Sequence, residues 1–149
     1  MKKFNGKNYT EKLSEETLKE FEKLVPKKRQ DVIDKLKKKV IERLEYGREV
    51  EVHNYLGVQV AKVLYVNLEN KWFLVEYENG LREGFKFCYI DIFLDPPFGE
   101  SKRVNECSEY VMLRRTEEEK IEDQKIVEKE KEEVMKIAEK TARAKVALF

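Results

Sequence analysis

The apolar residues of this 149-residue chain change their spacing twice, near Gly47 and near Arg114, and these changes restrict the fold more than any motif does. Up to Tyr46 they recur every three or four positions, as one face of a helix requires. From Arg48 to Leu113 they alternate, as a half-buried strand requires, and beyond Arg114 the helical spacing returns. Helix, then a run of short strands, then helix is an α+β order. It lacks the strand and helix alternation of a parallel sheet.

In the first segment, residues 1–47, LSEETLKEFEKLV predicts a helix with Ser14 as N-cap and Leu18, Phe21, Leu24 and Val25 on its apolar face. Pro26 then interrupts, and proline is tolerated in the first turn of a new helix. From Lys27 to about Tyr46 a second helix is predicted, with Ile33, Leu36, Val40 and Leu44 as its stripe, Val32 and Ile41 on its borders and Gly47 as its stop. The two make an N-terminal helical hairpin or one kinked rod.

In residues 48–113, REVEVH, VQVAKVLYV, KWFLVEY and LREGFKF are rich in β-branched and aromatic residues and are separated by NYLG, NLEN and ENG. Asn79-Gly80 suits a tight hairpin turn. YIDIFL and YVML can add a fifth and a sixth strand. Strands so short and so close in sequence suit a small, closed or nearly closed barrel, with Phe73, Val75, Tyr77, Leu81, Phe85 and Phe87 filling its core. With its glycine-led first strand, long second strand, VEY-bearing third strand and Asn-Gly hairpin, this segment resembles the SH3-like small barrels of the Tudor and KOW type. Gly57 loosely matches the KOW glycine, and the other residues of that motif are absent. The resemblance implies a recognition module for nucleic acid, peptide or protein.

Residues 114–149 predict a long, charged helix. Val127, Val134, Thr141 and Leu148 are seven apart, but Glu130 and Lys131 interrupt a regular coiled-coil seam. The first half is expected to be solvated. The second half is expected to dock on the N-terminal helices or on a second copy, giving a homodimer.

Catalytic chemistry finds little support. Asp95-Pro96-Pro97-Phe98 resembles the catalytic loop of amino-N-methylating nucleic-acid methyltransferases, where the aromatic stacks on a flipped base. Those enzymes need a glycine-rich turn in a doubly wound domain, and the six glycines here include no G-x-G. The loop is better read as a stiff connection between strands. His53 is the sole histidine, on the same strand face as Glu51. Cys88 and Cys107 sit in no C-x-x-C, so neither a zinc site nor an activated thiol is suggested, and both are expected to pack as small hydrophobes. No cofactor, no metal and no enzymatic activity are expected.

The remaining signals concern binding. Charged residues make up 41% of the chain, and its net charge of +1 divides into +6 over residues 1–48, −5 over 49–113 and zero over 114–149. A barrel at −5 repels phosphate, whereas Lys27, Lys28, Arg29, Lys35, Lys39 and Arg43 give the second helix a basic flank beside its apolar stripe. Those six residues are the candidate contacts to DNA or RNA. Tyr55, in a loop, and Trp72, on the face opposite Phe73 and Val75, are the candidate contacts to a protein partner. The expected function is a non-enzymatic adaptor holding nucleic acid by its basic helix and protein by its barrel or last helix. The other candidate is a small regulator or inhibitor of the phage or mobile-element kind, working by protein contacts alone. No apolar run approaches the roughly 20 residues that span a bilayer, so no membrane role and a cytoplasmic location are expected.

Overall fold

The structure, a computed structural model, describes residues 6–147. Two long helices, α1 (Gly6–Arg43) and α2 (Glu117–Val146), bracket the strands in sequence. Between them come β1 (Glu49–Asn54), β2 (Gly57–Asn67), β3 (Trp72–Tyr77), β4 (Arg82–Lys86), a 3-10 turn (Phe87–Tyr89), β5 (Phe93–Leu94), β6 (Lys102–Arg103) and β7 (Tyr110–Leu113). The class is α+β, as the spacing predicts. Leu148 lies outside the described residues.

Of the hairpin and the rod that the spacing allows, the chain forms the rod, a single helix through Pro26. Pro26 lies inside α1, where a proline removes a backbone hydrogen bond and costs about 3 kcal/mol. Packing on both sides offsets that cost: Phe21 before it and Val32, Ile33 and Leu36 after it are buried in one continuous core, with Leu24 and Val25 against it. Ser14 lies within α1 and is not its cap. Gly47, at φ +85°, turns the chain into β1, and its N–H donates to the Val63 carbonyl at 2.8 Å.

β1 to β4 form an antiparallel meander and β7 returns beside β1, giving the order β4-β3-β2-β1-β7; β5 and β6 pair separately. The register sets Val50 opposite Ala61, Val52 opposite Val111, Val63 opposite Val75 and Phe73 opposite Phe85, and all eight are buried on one face. A bulge between Val63 and Tyr65 shifts the outer residues of β2. Asn79-Gly80 makes the predicted turn, with Gly80 at φ +85° and Asn79 Oδ1 accepting from the Leu81 N–H at 3.0 Å. The sheet is open, with β4 and β7 as its edges. β4 carries Arg82, Glu83 and Lys86 along its edge, and the Val111 carbonyl of β7 accepts from the Asp91 N–H at 3.0 Å, so both edges are guarded without closure.

α2 opens with a capping box: Thr116 Oγ1 accepts from the Glu119 N–H at 3.2 Å, and the Glu119 carboxylate accepts from the Thr116 N–H at 2.9 Å. It runs antiparallel to α1, with Arg43 paired to Asp123 near one end and Lys145 paired to Glu20 near the other. Val134, Ala138, Ala142 and Val146 are buried, so the second half docks on the N-terminal helix. The first half is not solvated as expected, because Asp123 and Glu130 are buried there too.

Two further expectations fail. Leu81 is 65% exposed because it closes the Asn-Gly turn beyond the end of the core, while Tyr77 and Phe87 are only partly buried. Cys88 and Cys107 are free and exposed, since Cys88 lies in the short 3-10 turn and Cys107 on the loop between β6 and β7.

Candidate binding surface

The six basic residues of α1 do not form one free surface. Lys28 and Lys35 both reach the Glu130 carboxylate, Lys28 at 3.2 Å. Lys39 pairs with Glu122 at 3.0 Å, and Arg43 with Asp123 at 2.9 Å and Glu119 at 3.5 Å. Arg29 donates from Nε to the Phe98 carbonyl at 3.0 Å, and Lys27 is exposed. The flank beside the apolar stripe therefore faces α2. Glu130, read from sequence as an interruption of the seam, is a member of it.

The electrostatics follow from this pairing. Burial pushes the Glu130 carboxyl up, but hydrogen bonds from Lys35 and Lys28 more than offset it, so the group stays below the ordinary glutamate range. The Arg48 hydrogen bond holds Glu119 down to about 2. Lys28 is raised chiefly by Glu130, and Lys39 by Glu122.

The outer face of the sheet is the other surface. Tyr55 stands at the β1–β2 turn and is 94% exposed, and Leu56 and Val58 beside it are 68% and 58% exposed. Asn54 Oδ1 accepts from the Leu56 N–H at 2.9 Å and Gly57 sits at φ +110°, which fixes the turn that presents them. Trp72 lies opposite buried Phe73 and Val75, as the alternation predicts, and is half-buried. Its ring packs 5.5 Å from that of Tyr65, tilted by 55°, and its Cε3 lies 3.8 Å from where a Cβ on Gly84 would stand. Tyr77 and Phe85 do not join Trp72 on this face: Phe85 is buried against Phe73, and the Tyr77 hydroxyl donates to Glu83. Sequence reasoning missed Tyr65, which the bulge in β2 carries to the outer face.

Other singled-out residues have structural partners. His53 stacks on Tyr110 with ring centroids 4.4 Å apart, its Nε2 lies 3.2 Å from Glu51, and the Arg103 guanidinium lies 3.7 Å over the same Tyr110 ring. Asp91, wholly buried, accepts from the Ile92 and Asn105 N–H groups at 2.8 and 3.0 Å and from Arg103 at 3.0 Å, and so ties β5 to the loop after β6. The Asp-Pro-Pro-Phe loop joins β5 to β6. Phe98 is 2% exposed and so presents no ring to a base, while Gly99 lies so close to the Leu94 carbonyl that a Cβ would collide with it. A groove of about 300 Å³ between β5 and α2 is lined by Phe93, Met112, Val127, Arg115 and Asp123, the last two already paired at 2.8 Å. Among the described residues no group of three or more His, Cys, Asp or Glu is placed to hold a metal ion, and no helix is long and apolar enough to cross a membrane. The chain matches no protein-family model, no curated protein and no solved structure.

Proposed function

We propose that this chain is a non-enzymatic adaptor in which the antiparallel helix pair is a stiff support and the β1–β2 hairpin engages a protein partner. The observation that carries this reading is the hairpin tip, where Tyr55, Leu56 and Val58 are each more than half exposed within four consecutive residues. Single exposed apolar residues are ordinary; a cluster at the apex of a fixed turn is what a partner buries as its anchor. An open antiparallel meander with β7 beside β1 is compatible with a recognition module, the role that the sequence resemblance to small SH3-like barrels implies. The ion pairs of Lys28, Lys35, Lys39 and Arg43 favour protein contacts over nucleic-acid binding through α1, since phosphate contacts there would have to displace α2. This fits the small regulator acting through protein contacts. The buried Phe98 speaks against a methyltransferase-like loop.

A photo-crosslinking amino acid in place of Tyr55 tests the reading in cells that express the chain. One discrete protein adduct, lost when Leu56→Asp and Val58→Asp are added, is the expected result. No adduct at position 55, with an adduct from the same probe at Ile137 on α2, would refute it.

A further inference from the structure

We infer that the corner of the outer sheet face around Tyr65 and Trp72 binds single-stranded nucleic acid. This goes beyond the protein contact at the hairpin tip and is independent of it. Val58 and Tyr65 stand near opposite ends of β2, about 23 Å apart at the rise of an extended strand.

Three features converge on that corner. The first is aromatic. Tyr65 is half exposed, and the register that seats Leu74 between Tyr65 and Gly84 leaves the Trp72 ring lying across the glycine, with no side chain of β4 beneath it. Two rings on a flat sheet face offer bases a stacking surface.

The second is charge. Lys62, Lys71 and Lys86 are exposed, and none has an ion-pair partner among the described residues. Lys86 pairs in register with Trp72, and Lys71 precedes it. Of the acids on the same face, Glu76 is paired with Arg82 at 2.9 Å, and Glu49 and Glu51 share Arg114 at 3.2 and 3.1 Å, which leaves one negative charge on β1, two strands away from Trp72. Glu69 is the one acid of the β2–β3 turn. The sheet segment carries −5 in total, yet two of its unpaired cations, Lys71 and Lys86, adjoin Trp72, and the third, Lys62, lies on the same strand as Tyr65, in register between Glu49 and Glu76.

The third is chemical type. Lysine is depleted in the core of protein interfaces, whereas a polyanion with π faces uses both lysines and rings. Stacking on tilted rings needs bases that are not already stacked, which selects a single strand over a duplex.

Fluorescence anisotropy of a labelled single strand of about twelve nucleotides, as DNA and as RNA, with the full chain at several salt concentrations, tests the inference. Three phosphate contacts predict a slope of about −2 for log affinity against log salt. Trp72→Ala should weaken binding roughly ten- to hundredfold, and Trp72→Phe should restore most of it. Lys71→Glu with Lys86→Glu, both on exposed positions and checked by melting temperature, should flatten the slope to about −0.7. Lys27→Glu with Lys38→Glu on α1 should leave affinity unchanged. No binding at low salt would overturn the assignment. Binding lost with the α1 pair and retained with the sheet pair would overturn it too, as would a protein adduct from a crosslinker at position 65 without oligonucleotide binding.

Discussion

Replacing Glu130 by Gln removes the charge that joins two turns of α1 to α2 while keeping the side-chain volume. Its carboxylate is 3% exposed and is shared by Lys28, 29% exposed, and Lys35, 51% exposed. At the 3.2 Å separation of the Lys28 pair, the gross attraction is about 5 kcal/mol at an effective dielectric constant of 20. Desolvation of the carboxylate consumes much of it. Deleting one partner of a fully buried pair costs about 3–5 kcal/mol because a charge is stranded. Here both lysines can swing into water, so the loss should be smaller, about 1–3 kcal/mol. In urea, with a slope of about 2 kcal/mol/M for a chain of this size, the midpoint should fall by about 0.5–1.5 M without a change in slope. Glu130→Leu separates charge from packing: it strands no carboxylate and adds apolar contact to a seam of Val127 and Val134, so it should be at least as stable as the Gln variant. A Gln variant within about 0.5 kcal/mol of the parent would show that the interhelical pairs contribute nothing, and the reasoning about α1 would fall with it.

Two more outcomes test the ion pairs, and two test the loops. Lys35→Glu with Lys39→Glu sets acids against Glu130 and Glu122 and should lower the melting temperature by more than about 5 °C, followed by helix circular dichroism; an unchanged value would mean the flank is free. Glu119 and Glu130 are both held below the ordinary value of 4.5, so the folded state favours their ionised forms. Their stabilisation is complete above that value and is lost as pH falls, for Glu119 between 4.5 and about 2. Stability measured by urea titration should therefore decline with acid over that range, and Arg48→Gln should flatten the decline. Gly99→Ala, which drives a Cβ into the Leu94 carbonyl, should cost about 1–3 kcal/mol in the same assay; a neutral variant would mean the loop relaxes freely. Cys88 and Cys107 should both react with a chromogenic disulfide reagent in the folded protein, without denaturant, and protection of either would contradict its exposure.

The parts of this fold that depend on local signals were legible in the sequence. Alternation over β1 to β4 identified the strands, Asn79-Gly80 identified its hairpin, and opposite faces for Trp72 and Phe73 followed from the two-residue period. What was not legible depends on residues distant in sequence. Pro26 is a strong local signal for a break, and only packing against the core on both sides of it, by Phe21 and Val32, makes a continuous helix possible. Glu130 at a seam position looked like an interruption because its two partners lie almost a hundred residues earlier. Tyr65 was unreadable for a different reason. The bulge after Val63 moves it out of step with the alternation, and a bulge leaves no signature in residue type. The basic flank is legible as a flank from helical spacing, but whether such a flank faces water or another helix is decided by the sequence of that other helix.

The placement of charge along the two helices explains why they pair in one way only. Near the C-terminal end of α1 the cations Lys28, Lys35, Lys39 and Arg43 meet the acids Glu130, Glu122, Asp123 and Glu119 in the first half of α2. Toward the other end the signs exchange, and Glu16 and Glu20 of α1 meet Lys145 of α2. A parallel alignment would set Glu20 near Glu119 and Arg43 near Lys145, like against like at both ends. An apolar seam of valine and alanine alone discriminates poorly between alignments, because a shift of one heptad still buries apolar surface. The charge exchange penalises misalignments that bring like ends together. The +6 of the first segment is thus matched locally by acids that the zero net charge of the last segment conceals. Segment totals therefore misdirect the search for a phosphate-binding surface: the cations left for a partner are those held in no ion pair, and on the sheet these are Lys71 and Lys86, beside Trp72, and Lys62, whose register neighbours Glu49 and Glu76 are held by Arg114 and Arg82.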